Sequence, residues 1–327
     1  MNHMFSVVSV LAALTVLAGC SAPTAAEPER PGASGAERTG RPGASGAEEK
    51  ERPTVSAAEL SGPTVVAVGD IACARGNSVA PKRCRHADTA KLAQSYSPTY
   101  VLGLGDMQYP SAALSDFNGS YDKSWGALKA RTRPVPGNHE YLTPGASGYY
   151  SYFRNQQPGR PGYYAFDVNG WRIYALNSVC TKIDCAQEIR WMERDMANHP
   201  RRCSAIAMHH PRFSSGSEHG STPEAGRFWK VAYRHHVDLA LAGHDHDYER
   251  FARMDPAGAP AGDGVYSFVS GASGKGLYEF GKTVSGSEAR YNQAPGVLAL
   301  TLGRTQFAYE FKNVNGNVID KGVHTCG

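Results

Sequence analysis

Five short segments of this chain are apolar and then stop at an Asp, Asn or His. The residues at which they stop are Asp70, Asp106, Asn138, His209 and His244. An apolar run that ends in this way predicts a buried strand followed by a turn. A capped turn would explain any one segment, but it does not readily explain five. Because open α/β sheets place their sites at the carboxyl ends of strands, the sequence predicts a functional site at these turns.

The five turns also carry short motifs in a fixed order. They are Gly69–Ala72, Gly105–Tyr109, Gly137–Glu140, Ile206–His209 and Gly243–His246. This set resembles the calcineurin-like metallophosphoesterase superfamily, and within it the purple acid phosphatase branch, whose blocks run G-D-x-G, G-D-x-x-Y, G-N-H-D/E, V-x-x-H and G-H-x-H. The resemblance covers about residues 62–311. The chain departs from the pattern at Ala72, where the branch has Gly, and at Ile206, where it has Val.

Strands and helices alternate at first, and strands dominate towards the end. The pattern predicts strands at 64–68, 100–104, 163–168, 171–176, 204–208, 237–242, 265–270, 297–302 and 305–311, the last three antiparallel, and helices at 86–96, 121–130, 187–196 and 223–233. Asn169-Gly170 between two β-rich runs predicts a hairpin. The resemblance implies an α/β (α+β) fold, a four-layer αββα sandwich of two mixed β-sheets flanked by helices.

The first residues have the composition of an export signal. Residues 1–19 contain an apolar stretch, Phe5–Ala18, that is too short to span a membrane as a helix. Leu17-Ala18-Gly19-Cys20 resembles the lipobox of bacterial lipoproteins, which implies a lipidated Cys20 at the mature N-terminus. We therefore expect an exported protein on the extracellular face of the cell membrane, with simple secretion as the alternative.

A linker separates Cys20 from the folded domain. Within residues 20–61 the segment Arg30–Glu37 recurs as Arg41–Glu48, and its small polar residues cannot bury a core. The catalytic domain is predicted to occupy residues 62–327. A formal net charge of +4 on 327 residues gives no case for binding nucleic acid or a membrane by charge alone.

The cysteines predict disulfide bonds. Without Cys20 an even number remains, namely Cys73, Cys84, Cys180, Cys185, Cys203 and Cys326. An even number in an exported chain suggests three disulfides, although the pairing is open from sequence alone. Local spacing favours Cys73–Cys84 and Cys180–Cys185, which leaves Cys203–Cys326. A thiol metal site is the weaker alternative, since the chain has no C-x-x-C motif.

The resemblance implies two metal ions that share one carboxylate. The first metal would take Asp70, Asp106, Tyr109 and His246, and the second would take Asp106, Asn138, His209 and His244. Two metals about 3.5–4 Å apart hold a bridging hydroxide and clamp an in-line phosphoryl displacement. Many superfamily members have a metal-binding His two residues after the first Asp, but this chain has Ala72 there. Tyr109 fills that place, and a phenolate favours Fe(III), with Zn, Fe, Mn or Mg(II) at the second position.

Several further residues have predicted roles near the metals. The resemblance implies that His139 faces the phosphate as a catalytic residue. It also places His219 at a position where members of the branch often have histidines that face the substrate. Glu140 is predicted to orient an imidazole, His210 to pack beside its neighbour, and Asp245 to support the turn or a ligand.

The sequence therefore predicts a dinuclear-metal phosphatase that hydrolyses phosphomonoesters. Its partner would be a small phosphorylated substrate, with no nucleic acid expected and membrane contact only through the lipidated Cys20. Two alternatives remain open. One is a phosphodiesterase or nucleotidase of the same fold, and the other is a non-catalytic metal- or phosphate-binding lipoprotein.

Overall fold

The predicted strands form the centres of two mixed β-sheets. A computed structural model describes residues 60–327, so the predicted signal segment, Cys20 and nearly all of the predicted linker lie outside the described residues. The first sheet has six strands and the second has seven.

The strand bounds follow the apolar runs closely. The first sheet consists of β1 (Thr64–Val68), β2 (Tyr100–Leu104), β3 (Thr132–Val135), β11 (Gly296–Leu302), β12 (Gln306–Asn313) and β13 (Val318–Thr325). The second sheet consists of β4 (Tyr164–Val168), β5 (Trp171–Ala175), β6 (Cys203–Ala207), β7 (Leu239–Ala242), β8 (Tyr248–Met254), β9 (Val265–Ser270) and β10 (Ser287–Tyr291). The strands lie in the order β13-β12-β11-β1-β2-β3 in the first sheet and β10-β8-β9-β7-β6-β5-β4 in the second. Parallel pairing relates β1, β2 and β3 in one sheet and β5, β6, β7 and β9 in the other.

The two sheets pack face to face because their central strands are apolar on both sides. In β1, Val65 and Ala67 belong to a core shared with Ile173 and Leu241 of the second sheet. The alternate residues Val66 and Val68 point to the opposite face, as the strand period requires. A strand buried on both faces has a continuous apolar sequence, and Thr64–Val68 shows this pattern.

Helices cover the outer faces of both sheets. The α-helices are α1 (His86–Ser95), α2 (Leu114–Asp116), α3 (Asp122–Ser124), α4 (Ser147–Tyr152), α5 (Cys185–Asn198) and α6 (Gly226–Arg234). Helix α5 begins after Asp184, whose carboxylate accepts the N–H groups of Ala186 and Gln187 at 2.9 and 3.1 Å. Its buried Met192 and Met196 pack against the second sheet.

The predicted four-layer α/β architecture is confirmed. None of the helices within residues 60–327 has the length and apolar character needed to cross a membrane.

Three disulfides join Cys73 to Cys84, Cys180 to Cys185 and Cys203 to Cys326. The pairing favoured by local spacing is therefore confirmed. Cys203 begins β6 and Cys326 follows β13, so the third disulfide connects the second sheet to the end of the first.

Some elements differ from the prediction. Strand β9 is not only antiparallel: it pairs in parallel with β7 and antiparallel with β8. Residues 121–130 do not form one helix, because a π-turn (Phe117–Tyr121), α3 and a 3-10 segment (Trp125–Arg131) follow one another. The reason is tertiary packing, since Phe117, Tyr121 and Trp125 are all fully buried.

Three strands and two short α-helices had no sequence prediction. Strands β10 and β13 lie at sheet edges, where polar and charged side chains are normal and the apolar pattern is weak. Strand β8 contains Glu249 and Arg250, of which Arg250 pairs with Asp320 of β13. The short helices α2 and α4 were also missed.

Candidate metal centre and active site

The five predicted turns meet where the carboxyl ends of both sheets come together. Asp70 and Asp106 follow β1 and β2 of the first sheet, and His209 and His244 follow β6 and β7 of the second. The two sheets come close together at Gly105, where the backbone of the first sheet meets His209 of the second. Gly105 has a φ of +83°. A Cβ atom on Gly105 would lie 2.5 Å from Nδ1 of His209, so a side chain does not fit there.

One cluster of side chains surrounds the Tyr109 hydroxyl. Its Oη lies 2.9 Å from Oδ1 of Asp70, 3.1 Å from Oδ2 of Asp106 and 2.9 Å from Nε2 of His246. His246 Nε2 is also 3.4 Å from Oδ1 of Asp70. The structure thus brings together all four residues predicted for the first metal.

A second cluster surrounds Nε2 of His209. This atom lies 2.9 Å from Oδ1 of Asn138, 3.1 Å from Nδ1 of His244 and 3.5 Å from Oδ2 of Asp106. These are the four residues predicted for the second metal. Oδ2 of Asp106 is within 3.5 Å of both clusters, which is the position required of a bridging carboxylate.

The donor atoms of both clusters fit divalent or trivalent cations. Carboxylate, phenol, amide and imidazole groups are ligands of Fe, Zn and Mn in proteins. In two of the imidazoles, a backbone carbonyl determines which ring nitrogen carries the proton. Nδ1 of His209 lies 2.9 Å from Leu104 O, and Nδ1 of His246 lies 2.8 Å from Gly276 O. A carbonyl oxygen only accepts, so each Nδ1 carries the proton and each Nε2 has its lone pair free for a metal.

Burial favours the neutral forms of these groups, so it raises the pKa of the acids and lowers the pKa of the histidines. It raises the pKa of Asp70 well above its usual value, and the Asp106 charge raises it further. Burial likewise raises the pKa of Asp106 and of Tyr109. It lowers the pKa of His209 strongly and that of His246 to about 4. A bound cation reverses this preference for the acids, because it stabilises their anions directly.

Three of the clustered residues have a left-handed backbone. The φ angles are 58° at Asp70, 48° at Asp106 and 74° at His244. Such non-glycine conformations cost of order 1–3 kcal/mol each and concentrate at functional sites. Hydrogen bonds support the backbone conformation of Asp70 and His244. Asp70 N donates to Gly105 O at 3.2 Å, and His244 N donates to Oδ2 of Asp70 at 2.8 Å.

Glu140 has a different role from the one predicted. Its carboxylate does not orient an imidazole. Instead it accepts the backbone N–H groups of Asp106 at 2.8 Å, Met107 at 2.9 Å and Gly137 at 2.6 Å. Glu140 is completely buried, and burial followed by the Asp106 charge raises its pKa to about 8 while the three donors oppose that shift. Glu140 therefore ties the turn after β2 to the turn after β3.

His139 and His219 lie beside different clusters. Nε2 of His139 is 3.8 Å from Oδ2 of Asp106, and its ring centroid is 4.4 Å from that of Tyr109. The His219 ring stacks on His244 with centroids 4.0 Å apart, and it is exposed to solvent. Asp245 accepts the N–H groups of His219 and Gly220 at 3.2 and 3.0 Å, so it supports this loop, as expected of a turn residue.

Other neighbours of the clusters had no sequence signal. Tyr278 stacks on His246 with centroids 3.9 Å apart, and Nζ of Lys275 lies 4.8 Å from the Tyr109 ring centroid. His210 was predicted only to pack, yet Ser178 Oγ lies 2.9 Å from its Nδ1. Ser178 and Lys275 lie outside the five motifs, and only their position in the fold brings them to the site.

Comparison with known proteins assigns the family. The family model described as calcineurin-like phosphoesterase matches residues 63–248. Purple acid phosphatase 23 of Arabidopsis thaliana is 27% identical over 205 residues, which is 49% of this chain and 44% of that protein. A purple acid phosphatase of Glycine max is 26% identical over 178 residues, covering 47% of this chain and 38% of that protein. The chain therefore spans less than half the length of these curated relatives.

A solved structure agrees in fold. Purple acid phosphatase PPD1 from yellow lupin (Lupinus luteus) seeds superposes with a TM-score of 0.63 at 18% identity, covering 81% of this chain and 54% of that one. GAP50 of Plasmodium, described as the anchor in the inner membrane complex, gives a TM-score of 0.59 at 15% identity, covering 81% of this chain and 89% of that one. Because the family model spans more than half of the sequence, the chain belongs to the calcineurin-like phosphoesterase family, and purple acid phosphatases are among the relatives that it matches.

Proposed function

We propose that this protein is a metal-dependent phosphatase that hydrolyses small phosphomonoesters. The observation that carries the proposal is the pair of donor clusters that share Oδ2 of Asp106. Nε2 of His139 lies beside them, 3.8 Å from the same oxygen. When bound, two metal ions lower the pKa of water and neutralise the charge of a phosphoryl group. Asp70, Tyr109 and His246 would hold the first ion, and Asn138, His209 and His244 the second, with Asp106 common to both.

His139 is suited to move a proton at the open side of the site. Its Nδ1 lies 2.5 Å from Pro110 O, which only accepts, so Nδ1 carries a proton in either protonation state. Nε2 is then the atom that gains or loses a proton next to the site. An imidazolium Nε2–H would donate to the leaving oxygen of the ester, as general acid catalysis requires. His219, on the exposed side of His244, would contact the substrate from the second cluster.

The reaction is tested with chromogenic esters. Purified protein loaded with Fe and Zn should hydrolyse 4-nitrophenyl phosphate faster than bis(4-nitrophenyl) phosphate, and removal of the metals by a chelator should abolish both activities. Re-addition of metal serves as the control that the fold survived. Metal binding without any hydrolysis would contradict the proposal in favour of a binding lipoprotein, and faster diester turnover would favour a phosphodiesterase.

The identity of the first metal is part of the proposal. Tyr109 Oη lies within 3.1 Å of two carboxylates and an imidazole, and a phenolate in such a set favours Fe(III), with Zn, Fe, Mn or Mg(II) at the second position. Iron-loaded protein should show a broad visible charge-transfer band that is absent in Tyr109→Phe. Tyr278→Phe is the matched control and should keep the band. An identical spectrum in wild type and Tyr109→Phe at equal iron content would refute the ligand role.

We also propose that the domain is exported and anchored through a lipid on Cys20. Residues 1–19 would be removed, residues 20–61 would form the tether, and residues 62–327 would form the catalytic domain. The three disulfides support an oxidising compartment. Cys20→Ala should release the protein into the medium with activity intact. A wild-type protein found wholly in the medium, with no lipid on Cys20, would contradict anchoring.

A further inference from the structure

His210 lies at the second donor cluster although no motif position assigns it a function. One of its ring nitrogens is within 4.8 Å of ring nitrogens of both His209 and His244. Its ring centroid is 4.5 Å from that of His244 and 4.9 Å from that of His209. The His219 ring stacks on the same His244 ring, with the ring centroids 4.0 Å apart. Besides the packing role predicted from sequence, the arrangement suggests two functions for His210: an additional metal ligand, or a group that contacts the substrate.

Ser178 decides between these explanations. The backbone N–H of His210 donates to Ser178 Oγ at 3.0 Å, and the same Oγ lies 2.9 Å from Nδ1 of His210. The hydroxyl has one proton, and within residues 60–327 it contacts no other acceptor at hydrogen-bonding distance. Because Ser178 is buried, that proton is satisfied only if it is donated to Nδ1. Nε2 of the neutral imidazole must then carry the ring proton.

An imidazole in this tautomer is a hydrogen-bond donor at Nε2 and has no free lone pair for a cation. This excludes the role of an additional metal ligand for as long as the Ser178 bond is kept. A donor beside metal ligands instead suits an anion that the metals bind.

The loop that carries Ser178 is held firmly. The backbone N–H of Asn177 donates to Oε1 of the buried Glu188 at 2.8 Å. The Asn177 side chain donates to Tyr141 Oη and to Pro161 O, both at 2.7 Å. Tyr141 lies two residues beyond His139, so the same contacts connect the Ser178 loop to the turn that carries Asn138 and His139. Such support fixes a functional side chain in one orientation.

We propose that His210, oriented by Ser178, donates a hydrogen bond from Nε2 to an oxygen of the phosphate group in the site. His210 is then a catalytic residue in contact with substrate, and Ser178 is a positioning residue. The inference rests on the proposed function only in requiring that the metal-loaded site binds phosphate.

The test compares His210→Ala, His210→Gln and Ser178→Ala by three measurements. These are the metal content, the Kd for inorganic phosphate by calorimetry on the metal-loaded protein, and kcat and KM for 4-nitrophenyl phosphate. His210→Ala should raise the phosphate Kd by roughly tenfold or more, as expected for one lost hydrogen bond to a charged group, with metal content unchanged. His210→Gln should recover most of the affinity, because its amide N–H can replace Nε2–H. Ser178→Ala should give a smaller loss in the same direction.

His199→Gln is the matched control, since His199 is exposed and its ring bonds to Asp195 of α5, an element that carries none of the clustered residues. It should leave all three measurements unchanged. Loss of metal in His210→Ala would show a ligand and overturn the proposal. An unchanged phosphate Kd, or a His210→Gln variant as weak as His210→Ala, would show a packing role and overturn it as well. If the wild type hydrolyses no ester but binds phosphate through His210, the proposed function fails and this inference stands.

Discussion

Asp106→Asn should remove both metals together and reduce phosphomonoester turnover by more than about 100-fold. Loss of a group that only supports a metal ligand typically costs about 10–100-fold, and a carboxylate shared by two ions should cost more. The reason is geometric, because Oδ2 of Asp106 lies 3.1 Å from Tyr109 Oη and 3.5 Å from His209 Nε2. Metal analysis by mass spectrometry and the kinetics of 4-nitrophenyl phosphate hydrolysis measure the two effects.

The fold should survive this substitution. An Asn side chain keeps the oxygen that accepts the backbone N–H of His139 at 2.9 Å, and the backbone N–H of residue 106 still donates to Glu140. Asp167→Asn, on an exposed part of β4, is the control and should retain two metals and normal turnover. Two metals and near-normal turnover in Asp106→Asn would show that the bridging role is wrong.

Glu140→Ala should lower the free energy of unfolding by about 3 kcal/mol or more. The substitution leaves the N–H groups of Asp106, Met107 and Gly137 without their acceptor, and each unsatisfied buried donor costs about 1–3 kcal/mol. Metal affinity should fall as well, because Asp106 and Asn138 lose the tie that sets their separation. Urea unfolding of the metal-free protein isolates the first effect, and a metal titration measures the second.

Glu193→Ala provides the comparison for Glu140→Ala. Glu193 is partly exposed on α5 and its ion pair with Arg234 lies at the surface, so its removal should change the unfolding free energy by no more than about 0.5 kcal/mol. If Glu140→Ala is as mild as this control, the hydrogen bonds of Glu140 do not stabilise the two turns.

Five of the predicted ligands, Asp70, Asp106, Asn138, His209 and His244, could be located from sequence because each lies in a turn that follows an apolar strand, whereas Tyr109 and His246 were placed by the family motifs. Strands β1 and β2 have the predicted bounds, and Asp70 and Asp106 occupy the turns that follow them. The pattern works because these strands are buried on both faces and because parallel strands bring their ends to the same edge.

The support of these ligands could not be predicted in the same way. Glu140 acts on backbone N–H groups, which every non-proline residue has, so no residue type marks its partners. The tautomer of His210 depends on Ser178, which is 32 positions away in sequence. The edge strands β10 and β13 lack an apolar pattern because one side of each meets solvent. In all three cases the information lies in contacts between distant segments rather than in local patterning.

The pairing of β1 with β11 has a consequence for how the protein is made. Thr64 lies opposite Thr301, so the strand that delivers Asp70 gains its second neighbour only after nearly the whole chain has been synthesised. Topologies dominated by such distant pairings fold slowly, because a long loop must close before the contacts stabilise it. A slow-folding chain stays open for longer after synthesis, and the strand that precedes Asp70 is held between both of its neighbours only when β11 has paired. The strand order that brings the two donor clusters together would thus delay cation binding until β11 has been synthesised and paired.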